Sequence, residues 1–224
     1  MTRQEGIERI GRAHLYFVCD GRPNGASPGP LLEASMRGGA GLIQLREPAP
    51  RCAEELVVLA QPFRRAADLH DALFILNDQP ELVAATGADG VHVGQDDLPV
   101  AEARALAGES AVVGLSTHSP AQIDAACAAE GDARPDQISV GPVWETPTKE
   151  GRPATGLELI RYAAANATIP WFAIGGIDMR NIDEIVAVGA TRAVVVRAIR
   201  DAEDPETAAR LLRGALEHPV APDV

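Results

Sequence analysis

The sequence lacks the features of several large classes of protein. It holds three cysteines, Cys19, Cys52 and Cys127, and their spacing matches no disulfide framework, zinc site or redox motif, so we expect reduced thiols. No stretch approaches the roughly 18 apolar residues of a membrane-spanning helix, and the first residues contain no apolar signal core. We therefore predict a soluble, cytoplasmic protein with no membrane partner.

Positive charge is also scarce. The chain has 20 Lys and Arg against 32 Asp and Glu, for a formal net charge of -12. Proteins that bind nucleic acid grip its phosphates with clustered Lys and Arg, so this composition opposes a nucleic-acid partner. Any phosphate ligand must instead be held locally, by a metal ion, a few placed cations or backbone N–H groups. No expectation for the oligomeric state follows from the sequence.

Short apolar runs recur along the 224 residues, each followed by a segment of helical composition. Eight runs can be counted: LYFVC from Leu15, LIQLR from Leu42, LFILN from Leu73, GVHVG from Gly90, VVGLS from Val112, QISVG from Gln137, WFAIG from Trp171 and AVVVR from Ala193. This alternation is typical of βα units, and eight units in a chain of this length favour a closed barrel.

An open dinucleotide-binding sheet is disfavoured, because no GxGxxG motif follows Val18. The sequence therefore predicts an α/β protein with a single (β/α)₈ TIM barrel over residues 14–217. Residues 1–13 are expected to be an N-terminal extension, and residues 218–224 a C-terminal tail.

Polar side chains stand at the ends of the predicted strands, where such barrels carry their active sites. Gln44 and Arg46 are two residues apart on a strand and share one face, whereas Ile43 and Leu45 face the other way. If the apolar pair covers the helix layer, the polar pair points into the barrel mouth. An internal ion pair or a hydrogen-bonded polar plug is the alternative interpretation.

Two aspartates follow adjacent strands. Asp78 and Asp97 each precede helix-like sequence, so either one alone is typical of a helix N-cap. Taken together, two carboxylates from neighbouring strand ends form a hard oxygen site suited to Mg²⁺, which takes its remaining ligands from water and substrate phosphate.

The later strand ends add candidates for phosphate binding. Gly175 and Gly176 follow the seventh strand, where barrels commonly hold phosphate through backbone N–H groups, although a tight turn explains them equally well. Lys149 lies in a loop after Gly141 and Pro142 and is either carried over the barrel mouth or is an ordinary surface lysine.

Two histidines near these strand ends are weaker candidates for catalysis. His92, inside the fourth strand, is expected to be a hydrogen-bonded core histidine. His118 lies two residues after Ser116, but no Gly-flanked nucleophile elbow surrounds that serine, which disfavours a hydrolase.

The motifs resemble those of the thiamine-phosphate synthase family. They are QLRE at 44–47, LND at 76–78, GADGVHVGQDDLP at 87–99, GLSTHS at 114–119, VGPVWETPTK at 140–149 and AIGGI at 173–177. They occur in the family's order over nearly the whole chain. The resemblance implies a transferase that joins 4-amino-2-methyl-5-hydroxymethylpyrimidine diphosphate to 4-methyl-5-(2-phosphooxyethyl)thiazole, giving thiamine phosphate and diphosphate in thiamine biosynthesis.

The resemblance also implies a role for each matching residue. Catalytic roles fall to Arg46, Ser116 and Lys149, and Mg²⁺ is bound by Asp78 and Asp97. The residues that contact the pyrimidine diphosphate are Gln44, Arg46, Asn77, Ser116 and Lys149. The thiazole phosphate is held by Thr146, Pro147, Thr148, Gly176, Val196 and Arg197.

Two positions depart from the family pattern. Pro48 stands where the family motif has a lysine, and Arg197 stands where a serine is more familiar. The missing lysine supports one alternative, a non-catalytic regulator that binds the same ligands. A thiazole tautomerase-like relative would not need Asp78, Asp97 and Lys149. An unrelated sugar-phosphate barrel accounts for AIGGI but leaves the TPTK loop and the paired aspartates unexplained.

Overall fold

The computed structural model describes residues 1–49, 51–145 and 153–217. In these residues, parallel strands close into a barrel in chain order: β1 (Leu15–Cys19), β2 (Ala40–Leu45), β3 (Leu73–Asn77), β4 (Gly90–Val93), β5 (Val112–Thr117), β6 (Gln137–Val140), β7 (Trp171–Ile174) and β8 (Ala193–Val195). Phe17 of β1 lies opposite Val195 of β8, and this pairing closes the barrel. The predicted (β/α)₈ barrel is confirmed.

A helix precedes the first strand, and further helices connect the strands and follow the last one. They are α1 (Arg3–Arg12), α2 (Gly29–Arg37), α3 (Ala53–His70), α4 (Val83–Thr86), α5 (Val100–Ala107), α6 (Pro120–Ala128), α7 (Gly156–Asn166), α8 (Ile182–Ala187), α9 (Arg197–Arg200) and α10 (Pro205–Glu217). Within the three described ranges, no helix has both the length and the apolar character needed to cross a membrane.

Helix α1 occupies most of the predicted N-terminal extension. The Thr2 side chain accepts a hydrogen bond from the Glu5 N–H, and the Glu5 carboxylate accepts one from the Thr2 N–H. This reciprocal capping box satisfies donors that a helix start otherwise leaves unpaired. Ile10 of α1 is fully buried and packs with residues inside the barrel, so α1 contributes to the core.

The strands are buried on both faces, which explains their nearly continuous apolar sequence. Ile43 and Leu45 belong to the outer core, where Leu56 and Phe63 of α3 pack. Tyr16 and Phe172 belong to the inner core, with their rings edge to face at 5.5 Å between centroids. The predicted outward orientation of Ile43 and Leu45 is therefore confirmed.

Strand boundaries differ from the sequence prediction by one to two residues. β2 begins at Ala40 rather than Leu42 and ends at Leu45. The Arg46 N–H still donates to the Cys19 carbonyl at 3.0 Å, so the ladder extends one residue beyond the strand. Arg46 consequently starts the β2–α3 loop with its backbone direction set by the sheet.

Candidate active site

A cavity of about 310 Å³ opens at the carboxyl ends of the strands. Every strand from β1 to β8 contributes to its wall, directly or through the residue that follows the strand. The wall includes Tyr16, Val18, Gln44, Arg46, Asn77, His92, Ser116, His118, Ser139, Gly176, Asp178, Arg180, Val196, Arg197 and Asp201. The structure thus brings Gln44, Arg46, Asn77, Ser116, Gly176, Val196 and Arg197, all predicted from sequence, to one cavity.

Gln44 and Arg46 both line this cavity, as their spacing on β2 predicts. Gln44 is buried, and its Nε2 donates to the Tyr16 hydroxyl at 2.6 Å. Burial raises the pKa of Tyr16, so its hydroxyl keeps its proton. Arg46 is half-buried, with its side chain at the cavity wall. The hydrogen bond to Tyr16 therefore orients the Gln44 amide, while Arg46 brings positive charge to the cavity.

Ser116 lies in a group of buried polar side chains inside the barrel. Its Oγ is 3.0 Å from Nε2 of His92 and 3.4 Å from Oγ of Ser139. Nδ1 of His92 is 2.9 Å from Nε2 of Gln137. His92 is thus the hydrogen-bonded core histidine that the sequence predicts. His118, the sequence neighbour of Ser116, hydrogen-bonds instead to the Gly141 carbonyl.

Asp78 and Asp97 follow β3 and β4, and both residues are exposed. Neither acts as the N-cap of a helix, because Gln79 and Pro99 occupy those positions. The Asp78 backbone is left-handed at φ 59°, and its N–H donates to the His92 carbonyl at 2.9 Å. Asp97 Oδ2 accepts from the Gly94 N–H at 2.7 Å. The helix-cap alternative is therefore wrong for both aspartates.

The two aspartates are not part of the cavity wall described above. The described residues contain no cluster of three or more His, Cys, Asp or Glu side chains that could hold a metal ion. A pair of carboxylates is nevertheless a suitable donor set for Mg²⁺, since this ion keeps several waters and shares its sphere with substrate phosphates. The chemistry of Asp78 and Asp97 thus fits the predicted cofactor.

The loops after β6 and β7 pack directly on each other. The Val143 N–H donates to the Ile174 carbonyl at 2.8 Å, and the Trp144 N–H donates to the Gly175 carbonyl at 3.1 Å. A Cβ placed on Gly175 would lie 2.5 Å from Cα of Pro142, and the residue has φ 106°. Glycine is needed here both for the backbone conformation and for the close approach of the second loop.

Arginines and aspartates face each other at the β7 and β8 side of the cavity. The Arg180 guanidinium beside Asp178 holds the pKa of that carboxyl below its usual value, and Arg200 does the same for Asp201. Arg197 is exposed and also lowers the pKa of both carboxyls to a smaller extent. This side of the cavity therefore carries paired charges.

Several wall residues were not identified from sequence: Tyr16, His118, Ser139, Asp178, Arg180 and Asp201. Asp178 and Arg180 follow the AIGGI motif closely, which is a usable signal. Tyr16 sits within an apolar run that gives no such signal. Thr146, Pro147, Thr148 and Lys149, which the sequence predicts to be part of the site, lie outside the described residues.

A comparison with protein families supplies the deciding observation. Residues 15–199 match the family model described as thiamine monophosphate synthase. The chain belongs to the thiamine monophosphate synthase family. Its relatives include the thiamine-phosphate synthase of Arthrobacter sp. (strain FB24), 46% identical over 92% of this chain and 94% of that protein. The thiamine-phosphate synthase of Acidothermus cellulolyticus is 47% identical over 89% of this chain and 93% of that protein.

A solved structure agrees with this family assignment. Thiamine phosphate pyrophosphorylase from Pyrococcus furiosus superposes with a TM-score of 0.80 and 28% identity, covering 93% of this chain and 97% of that one. The prediction of a transferase of thiamine biosynthesis in the thiamine monophosphate synthase family is thereby confirmed.

Proposed function

We propose that the chain joins the methylene carbon of the pyrimidine diphosphate to the thiazole nitrogen and releases diphosphate, inside the cavity at the carboxyl ends of the strands. The observation that carries this proposal is the convergence of Gln44, Arg46, Asn77 and Ser116 on one cavity that also contains Gly176, Val196 and Arg197. A two-substrate condensation requires both molecules to be held in contact, and a single shared cavity does this.

The pyrimidine diphosphate is placed against β2 to β5. Gln44 supplies a buried amide held by Tyr16, and Ser116 supplies a buried hydroxyl held by His92. Arg46 supplies a positive charge for the diphosphate, and Asn77 an amide at the end of β3. We assign Lys149 the same task as Arg46, on the resemblance of the TPTK motif.

Mg²⁺ is assigned to Asp78 and Asp97. Both are exposed at the ends of adjacent strands, and the hydrogen bond from Gly94 to Oδ2 holds the Asp97 carboxylate in place. Carboxylate oxygens at such positions suit Mg²⁺ shared with a substrate diphosphate. Held by Asp78 and Asp97, a Mg²⁺ ion would supply positive charge that offsets the negative charge of the diphosphate.

The thiazole phosphate is placed against the ends of β7 and β8. Gly175 and Gly176 follow β7 and line the cavity. Both glycines have positive φ, at 106° and 70°, and successive N–H groups in such turns form anion-binding concavities. Arg197 adds a guanidinium, which suits a phosphate group. Val196, Thr146, Pro147 and Thr148 complete the proposed subsite.

The reaction requires little from the protein beyond holding the two substrates together and stabilising the charge of the departing diphosphate. The thiazole nitrogen uses its own lone pair to form the new C–N bond, and the C–O bond to diphosphate breaks. No enzyme nucleophile or strong base takes part, consistent with cavity histidines that are hydrogen-bonded and an Asp178 carboxylate that is paired with Arg180. Arg46 and Lys149 stabilise the departing charge, and the cavity wall holds the two reacting atoms together.

The test is to incubate the purified protein with both substrates, in Mg²⁺ or in excess chelator, and to follow thiamine phosphate and diphosphate. We expect both products in equal amounts, and only with the metal present. Folded protein that binds either substrate but forms no product would contradict the proposal and favour the regulator or the tautomerase-like alternative. Product formation in chelator would reject the metal assignment alone.

A further inference from the structure

Four polar side chains in the barrel interior form a directed set of hydrogen bonds. Gln137, His92, Ser139 and Ser116 are all nine-tenths or more buried. His92 lies between the amide of Gln137, 2.9 Å from its Nδ1, and the hydroxyl of Ser116, 3.0 Å from its Nε2. Ser116 and His92 also reach the cavity wall, whereas Gln137 does not. The set therefore links the barrel interior to the cavity.

The amide of Gln137 determines which nitrogen of His92 carries the proton. With Nε2 of Gln137 facing Nδ1, the amide donates and Nδ1 accepts, so a neutral ring has its proton on Nε2. In this arrangement Nε2 of Gln137 has a partner, and the Gln137 carbonyl oxygen has none. The reversed amide would leave both of its N–H groups unpaired, and buried unpaired donors are rarer than buried unpaired carbonyls.

The proton on His92 in turn determines the direction of the Ser116 hydroxyl. Nε2 of His92 lies 3.0 Å from Ser116 Oγ and 3.3 Å from Ser139 Oγ, so Ser116 is the nearer acceptor of the Nε2–H; Ser116 Oγ also accepts from the Ser139 hydroxyl at 3.4 Å. A hydroxyl oxygen has two lone pairs and one proton. With both lone pairs directed into the barrel, the Ser116 proton is left to point into the cavity.

A neighbouring glycine is needed for this arrangement. A Cβ on Gly114 of β5 would lie 2.0 Å from Nε2 of Gln137 and 2.4 Å from Nδ1 of His92. Any side chain at position 114 would therefore displace the hydrogen bond between these two residues. The close contact is independent of how the protons are assigned.

We propose that His92 is a positioning residue, which together with Gln137 fixes Ser116 as a hydrogen-bond donor to an acceptor atom of the pyrimidine diphosphate. This inference rests on the proposed function, because it needs that substrate in the cavity. A donor whose direction is set before the substrate arrives costs no reorganisation when charge develops, which is the property that makes such donors effective.

The proton position on His92 is measured directly in the unsubstituted protein. Two-bond ¹H–¹⁵N correlation spectra of histidine-labelled protein distinguish the Nε2–H from the Nδ1–H form, and His92→Gln assigns the signal by its loss. We expect a neutral ring with its proton on Nε2. A ring with its proton on Nδ1, or an imidazolium at neutral pH, would overturn the inference whatever the activity. No substitution at Gln137 is needed for this result.

A kinetic test uses Gln137→Glu, whose carboxylate accepts from Nδ1–H, so that a neutral His92 ring no longer has its proton on Nε2. We expect kcat to fall by about tenfold or more, a fraction of the loss seen when a preorganised donor is deleted. The KM for the thiazole phosphate is expected to be unchanged, since that subsite lies across the cavity. In a Ser116→Ala background, Gln137→Glu should lower kcat little further, as expected when two residues act through one contact.

Failure of the proposed function and failure of the His92 inference give different results. If the unsubstituted protein makes no thiamine phosphate, the proposed function fails while the tautomer can still be measured. If it makes product, and Gln137→Glu lowers kcat equally with and without Ser116, then His92 does not act through Ser116. His92→Gln, whose amide can donate to Ser116, should retain more activity than His92→Leu, and equal activity of the two would oppose the inference.

Discussion

Arg104 of α5 donates to the carboxylate of Asp136 across 3.1 Å, and both side chains are almost fully buried. Asp136 precedes β6 and therefore lies at the end of the barrel opposite the cavity. It also accepts from Nε of Arg3 at 2.9 Å and from the Val113 N–H at 2.7 Å. One carboxylate thus joins α1, α5 and β5 beneath the barrel, remote from the chemistry.

Asp136→Ala should lower the free energy of unfolding by about 3–5 kcal/mol, because it leaves a buried guanidinium without its charge partner. Chemical denaturation measures the change. Glu158→Ala, which removes the partner of Arg161 in an exposed ion pair, is the matched control and should cost about 1 kcal/mol or less. Equal losses in the two variants would show that burial does not govern the Asp136 contribution.

Asp97→Ala and Lys149→Ala should each lower turnover by about two orders of magnitude with the fold retained, the scale of roughly 3 kcal/mol for one preorganised charge. Steady-state rates at saturating Mg²⁺ and substrates measure this, with circular dichroism as the check on folding. Asp96→Ala changes the neighbouring carboxylate and should reduce turnover far less. Near-normal turnover of either variant removes that residue from the mechanism.

Arg197→Ser should raise the KM for the thiazole phosphate by about tenfold, the equivalent of one charge-assisted hydrogen bond of about 1.4 kcal/mol. The KM for the pyrimidine diphosphate should stay the same. Arg210→Ser, on the outer surface of α10, is the control for loss of one positive charge. An unchanged KM in Arg197→Ser would place the thiazole phosphate elsewhere.

Gly175→Ala should displace the loop after β6, since the new Cβ would meet Cα of Pro142 at 2.5 Å and the backbone is at φ 106°. We expect a lower melting temperature and weaker thiazole phosphate binding. Gly214→Ala has open space around its Cβ, lies within α10 and should instead stabilise the protein by about 0.5–1 kcal/mol. A Gly175→Ala protein with the parent's stability would show that the two loops are not tightly packed.

The three cysteines should react with thiol reagents in the order of their exposure. Cys52 is exposed, Cys127 is half-buried and Cys19 is buried, with its pKa raised by that burial. The thiolate is the reactive form, so Cys19 should be labelled only after unfolding. Peptide mapping after brief labelling at neutral pH identifies the sites. Cys52→Ser should abolish the fast phase, and its persistence would assign that phase to another thiol.

Much of the fold could be predicted from sequence because a strand buried on both faces requires a continuous apolar run. The run from Leu73 to Asn77 coincides with β3, and the alternation of Ile43, Gln44 and Leu45 predicts which side chains face inward. Such signals are local, and they do not depend on the neighbours of a strand. The polar strand ends likewise indicate the cavity, because all carboxyl ends of a parallel barrel meet at one face.

The hydrogen bonds among His92, Ser116 and Gln137 could not be predicted in this way. These residues lie on three different strands, and their contacts depend on register, such as the alignment of Ser116 with Ser139. The nearest histidine in sequence, His118, is two residues from Ser116, yet side chains that meet across strands are not sequence neighbours. The role of Asp136 beneath the barrel could not be predicted from sequence for the same reason.

The sequence by itself determined the barrel, the family and the residue types available at the strand ends, because apolar periodicity and motif order are properties of a linear chain. Only the tertiary structure decided that Ser116 bonds to His92, that Gly175 lies against the loop after β6, and that Asp78 and Asp97 do not line the cavity wall. These relationships depend on distances between strands and loops, which are set by sheet register and packing.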